Sequence, residues 1–160
     1  MPAIATRALL AVALLARSDV SQVPSPAAAT LAGDWELSLA RTHYGPGVDR
    51  RRRERFTCTA DGPRVACTIT GERADGRRVT GRFTAAADDV PSSATGVPGI
   101  DAVRLRAAGP SIVDATFLLA GRPVFGYRAY RPADGRTLVV VTVDPVSRAA
   151  LTTVVVYDRR

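Results

Sequence analysis

The chain has 160 residues, enough for one domain with a substantial core, and its 46% hydrophobic and 23% charged composition is that of a globular protein. It holds no run of about 18 apolar residues, so no helical membrane span is expected. The formal charge of +7 comes from 22 basic residues, all arginine; they are spread along the chain with no aromatic platform interleaved, which argues against a specific nucleic-acid partner.

Residues 1–29 have the order of an export signal. Arg7 is the basic start, Ala8 to Ala16 is the apolar stretch, and Ala27 and Ala29 offer the small residues that signal peptidase prefers. Ser18 is a rival cleavage point, and an amphipathic helix that stays attached is the alternative reading. Residues 30–160 then form a single domain.

From Gly33 onward, turn signals recur regularly: Asp61-Gly62-Pro63, Ala74-Asp75-Gly76, Ala108-Gly109-Pro110, Ala120-Gly121, Asp134-Gly135 and Asp144-Pro145. Between them lie Val, Thr, Phe, Tyr and Arg, the composition of strands joined by hairpins. The first strand alternates Trp35, Leu37 and Leu39 with polar residues. Arg51 to Thr59 and Arg64 to Thr70 follow, and within the run Arg50 to Arg55 strict alternation sends Arg51, Arg53 and Arg55 to one face.

With Gly62-Pro63 as a two-residue loop, Asp61 faces Arg64 and Cys58 faces Cys67. That register puts the cysteines at a non-hydrogen-bonded site, where Cα atoms are about 4.5 Å apart and a disulfide can form. A disulfide would fit an oxidising compartment. Free buried thiols remain an alternative, as does redox or metal chemistry, although no Cys-x-x-Cys and no nearby His support the latter.

Phe56, Cys58, Val65, Cys67 and Ile69 share a face that the pattern places inward, as do Val79, Gly81, Phe83 and Ala85 on the next strand. Asp88 to Gly99 is the one long irregular stretch. Strands resume at Asp101–Arg106, Ser111–Leu119, Arg122–Arg131, Arg136–Val143 and about Ala150–Asp158. A meander of this length leaves two raw edges unless it closes, so the expected fold is all-β: an antiparallel up-and-down barrel of about 8–9 strands. The last two strands are apolar on both faces around Val140 and Val155. Either chain segments cover the outer side, or it is a contact surface for another subunit.

His43 is the only histidine and sits in a turn-rich segment. No nucleophile elbow, P-loop or dinucleotide fingerprint is present, and no carboxylate pair stands out. No catalytic residue, metal site or cofactor is therefore expected, and the chain does not read as an enzyme.

Several motifs in order resemble those of the short, secreted bacterial lipocalin-like (calycin-type) β-barrel proteins, a largely uncharacterised family. They are Gly33-Asp34-Trp35-Glu36-Leu37, Tyr44-Gly45-Pro46-Gly47, Ala74-Asp75-Gly76-Arg77, Val97-Pro98-Gly99-Ile100-Asp101, Asp114-Ala115-Thr116-Phe117, Asp134-Gly135-Arg136-Thr137-Leu138 and Val156-Tyr157-Asp158-Arg159. The arginines stand where that family usually has lysine, and the cysteine pair is not expected in most members. The resemblance implies a barrel with an apolar interior and no catalytic residue. The expectation is an exported (periplasmic or secreted) barrel that binds a small hydrophobic molecule, with Trp35, Phe56, Ile69, Phe83 and Leu105 as lining candidates. Each could instead be plain core, Trp35 as a plug at a closed end. The alternative is a non-catalytic envelope or interaction protein with a filled barrel, meeting its partner through the C-terminal strands.

Overall fold

A computed structural model describes residues 25–160. Apart from its last residues, Ser25 to Ala29, the expected export segment lies outside the described residues. The described chain begins with a short helix, α1 (Pro26–Leu31), and continues into ten strands. These are β1 (Gly33–Leu37), β2 (Arg51–Asp61), β3 (Arg64–Arg73), β4 (Arg78–Ala86), β5 (Ser92–Thr95), β6 (Ala102–Gly109), β7 (Ile112–Leu119), β8 (Arg122–Tyr130), β9 (Thr137–Val143) and β10 (Ala150–Arg159). Every strand pairs with its sequence neighbours, all antiparallel, and β1 pairs with β10 to close the barrel.

The strand count is ten rather than eight or nine because the stretch read as irregular contains β5. Its four residues pair with β4 only at Arg82–Thr95 and Phe83–Ala94, and with β6 only at Ser92–Val103 and Ser93–Ala102. Two serines, a threonine and one buried alanine give no apolar alternation to read. The first strand is also shorter than its pattern. It stops at Leu37, and Leu39 lies half-exposed in a single 3-10 turn, Leu39–Arg41.

The cysteine hairpin has the register that the two-residue loop requires. Asp61 pairs with Arg64 and Cys58 with Cys67, with Gly62 at φ +53°. The two sulfurs form a disulfide across Cα atoms 4.2 Å apart, and both cysteines are buried in the barrel core.

One end of the barrel is stoppered. Pro26 opens α1 at a position where its missing N–H costs nothing, and the Ser25 hydroxyl accepts from the Ala28 amide at 3.1 Å. The helix buries Ala27, Ala28 and Leu31. Trp35, fully buried, donates its indole N–H to the Leu31 carbonyl at 2.9 Å. Its ring folds back over Gly33, where a Cβ would meet Cε2 at 2.9 Å, so glycine is required there on sterics as well as for its φ of +148°. Arg131, from the β8–β9 turn, reaches under the helix to the carbonyls of Ala29 (2.6 Å) and Ala32 (3.2 Å), and the Ser25 amide donates to Gly62 at the tip of the β2–β3 hairpin.

Two stability outcomes are expected. Cys58→Ser should lower unfolding free energy by about 2.5 kcal/mol in oxidising buffer, the chain-entropy value for so short a loop, and by much less under reductant; equal losses in urea titrations of both would refute a stabilising disulfide. A chain starting at Thr30 should be less stable than one starting at Ser25 by about 2 kcal/mol, the order expected for losing the cap and the burial of two alanines. Coincident melting curves would show the stopper to be dispensable.

Candidate functional site

Above the stopper the barrel is hollow. A cavity of about 300 Å³ runs from Leu31 at the closed end to a mouth bordered by Val48, Asp49, Val97 and Pro98. Strand alternation builds its walls: Phe56 from β2, Ile69 from β3, Phe83 from β4, Leu105 from β6, Phe117 from β7 and Phe125 from β8 all project inward. Phe117 and Phe125 stack with ring centroids 4.6 Å apart, and Phe83 meets Phe117 edge-on. Four of the five residues expected to line an interior, Phe56, Ile69, Phe83 and Leu105, border this cavity. Trp35 does not; it lies below as part of the stopper.

One wall of this apolar chamber carries charge. Arg51 projects into the barrel and donates through Nη1 to Glu54 Oε1 at 2.8 Å and to the Tyr157 hydroxyl at 3.3 Å. Through Nη2 it reaches the Tyr127 hydroxyl, on β8, at 3.2 Å. The Tyr157 hydroxyl in turn donates to Glu54 Oε1. The Tyr44 hydroxyl is buried beside the Arg51 backbone. At the mouth, Asp49 pairs with Arg73, and Glu72 pairs with Arg53 at 2.7 Å.

Strict alternation cannot put residues 51 and 54 on one face. A bulge does. The β2–β3 register shifts between Arg51 and Arg53, so Arg52 and Arg53 both face solvent while Arg51 and Glu54 both turn inward. The expected shared face of Arg51, Arg53 and Arg55 is thereby overturned. The sequence did hold one signal, a lone glutamate inside a run of arginines, but nothing in it marked the bulge. Tyr127 and Tyr157 look like ordinary strand aromatics until the barrel closes around them.

Burial sets the electrostatics of the cluster. It pushes the Glu54 carboxyl above its ordinary value, and the hydrogen bonds from Arg51 and Tyr157 reverse that only in part. The Tyr157 hydroxyl is driven well up, by burial first and then by the Glu54 charge. Arg51 stays charged. The Tyr127 oxygen is used as an acceptor for Arg51, which leaves its own proton to be donated elsewhere. The cavity is thus a greasy chamber with an arginine and a tyrosine hydroxyl able to grip one polar group.

Other expectations fall outside this chamber. His43 is exposed, and its backbone pairs with Val154 in both directions at 2.8 Å. Among the described residues no group of three or more His, Cys, Asp or Glu is arranged to hold a metal ion. Val140 and Val155 border the cavity, so the outer valines of the last two strands are instead Val139, Val141, Val143, Val154 and Val156, of which Val143 and Val156 are buried and the rest half-buried. No protein-family model matches the sequence, and no curated protein matches it.

The raised Glu54 carboxyl has a pH signature. The folded state holds this proton more tightly than the unfolded chain, so stability should fall as pH rises from the ordinary glutamate value of 4.5 through the folded value, then level off. The loss is about 1.4 kcal/mol for each pH unit separating the two values. Asp34, Asp114 and Asp144 are held below 3.8 and act in the opposite sense at lower pH. Urea unfolding of Glu54→Gln between pH 4 and 8 should lack the fall seen in the parent; parallel profiles would contradict the assignment.

Proposed function

We propose that this protein is an exported, lipocalin-like carrier that holds one small, mostly apolar molecule inside its barrel. The observation that carries this reading is a chamber walled by aromatic and aliphatic side chains, closed below by Leu31 and Trp35 and bordered above by ion pairs. An interior meant only for stability would be filled, because packing to crystal-like density is what cores ordinarily achieve. The disulfide suits an oxidising compartment, and the ordered motifs from Gly33 to Arg159 support the lipocalin-like kinship. No catalytic step is proposed.

Size and chemistry narrow the ligand. At about 30 Å³ for each water-sized group, the chamber takes about ten heavy atoms. Its tail end would lie among Phe56, Ile69, Phe83, Leu105 and Phe117, and its polar end would accept from Tyr127 and Arg51. Each buried methylene contributes about 0.8 kcal/mol, so affinity for straight-chain 1-alkanols should rise about fourfold per carbon and stop rising near ten carbons. Calorimetric titration across the series from hexanol to tetradecanol tests this. A flat series, or no binding by any member, would refute the carrier and leave a non-catalytic interaction protein, meeting its partner through the half-buried outer valines Val139, Val141 and Val154, as the better reading.

A further inference from the structure

The charges around the chamber cancel, and that limits what the polar end of its ligand can be. Five residues bordering the cavity are charged: Asp49, Arg51, Glu54, Glu72 and Arg73. At the mouth Arg73 pairs with Asp49, and Glu72 pairs with Arg53 at 2.7 Å and Arg52 at 3.4 Å. Further in, Arg51 is neutralised by the buried Glu54 at 2.8 Å. Among the described residues, no cation on the lining is left without a carboxylate.

An anionic head would therefore arrive dehydrated beside a pair whose net charge is zero, with no counter-charge to offset the solvation it gives up. An ammonium head meets the same balance with the signs exchanged. A neutral head that both donates and accepts loses much less and finds partners. The Tyr127 oxygen accepts from Arg51, so its proton is free for a ligand. The bonds from Arg51 and Tyr157 both end on Glu54 Oε1, so Oε2 is an acceptor that no described residue occupies. A carboxylate can claim Arg51 only if Glu54 loses its own charge by binding a proton. The surroundings of Glu54 pull that step both ways. Burial favours it, while the Arg51 charge and the bonds from Tyr157 and Arg51 oppose it. The uncharged hydroxyls of Tyr44 and Tyr127 lie nearby, β3 places Gly71 opposite Glu54, and β9 brings Val140 to the wall.

We propose that Glu54 is the specificity-determining residue of the chamber, an inference that rests on the carrier reading. It selects an uncharged head that both donates and accepts a hydrogen bond, as an alcohol does, and admits a carboxylate only when Glu54 takes up one proton. Calorimetric titrations of 1-octanol and of octanoate are compared from about pH 6 to about pH 9. The affinity for 1-octanol should be flat, whereas that for octanoate should weaken about tenfold per pH unit once Glu54 is ionised. Glu54→Gln keeps an acceptor for Arg51 and Tyr157. Near about pH 8 it should bind octanoate about tenfold or more tightly than the parent, without the slope, and 1-octanol within about threefold of the parent. A second readout needs no variant. Glu54 is one of only three glutamates, and its carboxyl carbon resonance in glutamate-labelled protein should move to the protonated position with octanoate bound and stay put with 1-octanol. Failure of 1-octanol to bind removes the carrier and this inference together. If 1-octanol binds, the role of Glu54 is overturned, and the carrier left standing, by any of three results: octanoate binding that ignores pH, a slope that persists in Glu54→Gln, or an unmoved Glu54 resonance with octanoate bound.

Discussion

A strand of only five residues, β1, is hydrogen-bonded on one side to β2 and on the other to β10, with Trp35 opposite Arg159 and Leu37 opposite Tyr157. Without that double pairing the chain is an open meander with exposed edges on β2 and β10. With it there is an inside. The seam continues beyond β1, where Ser38 and His43 donate to carbonyls of β10 and the Thr42 hydroxyl accepts from the Val156 amide. The same closure assembles the polar cluster, since Glu54 and Tyr157 sit on the two strands that β1 joins and meet only across it.

Putting an ion pair inside a small barrel is costly unless its remaining hydrogen-bonding capacity is met. Here two tyrosine hydroxyls share that task, and Arg51 reaches from β2 toward β8 to engage them. A cluster of this kind gives little net stability compared with aliphatic packing. What it gives is direction. It makes one side of an otherwise featureless apolar chamber distinguishable from the rest, which is what a site needs if it is to hold a molecule in one orientation.

Much of the fold was legible in the sequence because it rests on local rules. Two-residue periodicity placed Phe56, Cys58, Val65, Cys67, Phe83 and Ala85 inward, and turn chemistry set the Cys58–Cys67 register. Those signals fail where the structure departs from periodicity. The bulge at Arg52 and Arg53 inverts the apparent facing of Arg51 relative to Glu54, and so hid the polar half of the candidate site. β5 escaped notice because four residues with a single inward alanine carry no pattern. Val140 and Val155 were ambiguous for another reason: strands apolar on both faces do not say which face is in. The partnership of Arg51 with Tyr127 and Tyr157 joins residues more than seventy positions apart, and only tertiary closure relates them.

The two shortest strands, β1 and β5, lie far apart around the ring, separating a long-stranded panel of β2, β3 and β4 from the panel running β6 to β10. Within the panels the ladders are extensive, whereas β5 is fastened by two residue pairs on either flank. The disulfide ties β2 to β3 and so stiffens one panel without crossing a seam. Mechanically the wall is two stiff shells joined along two narrow strips.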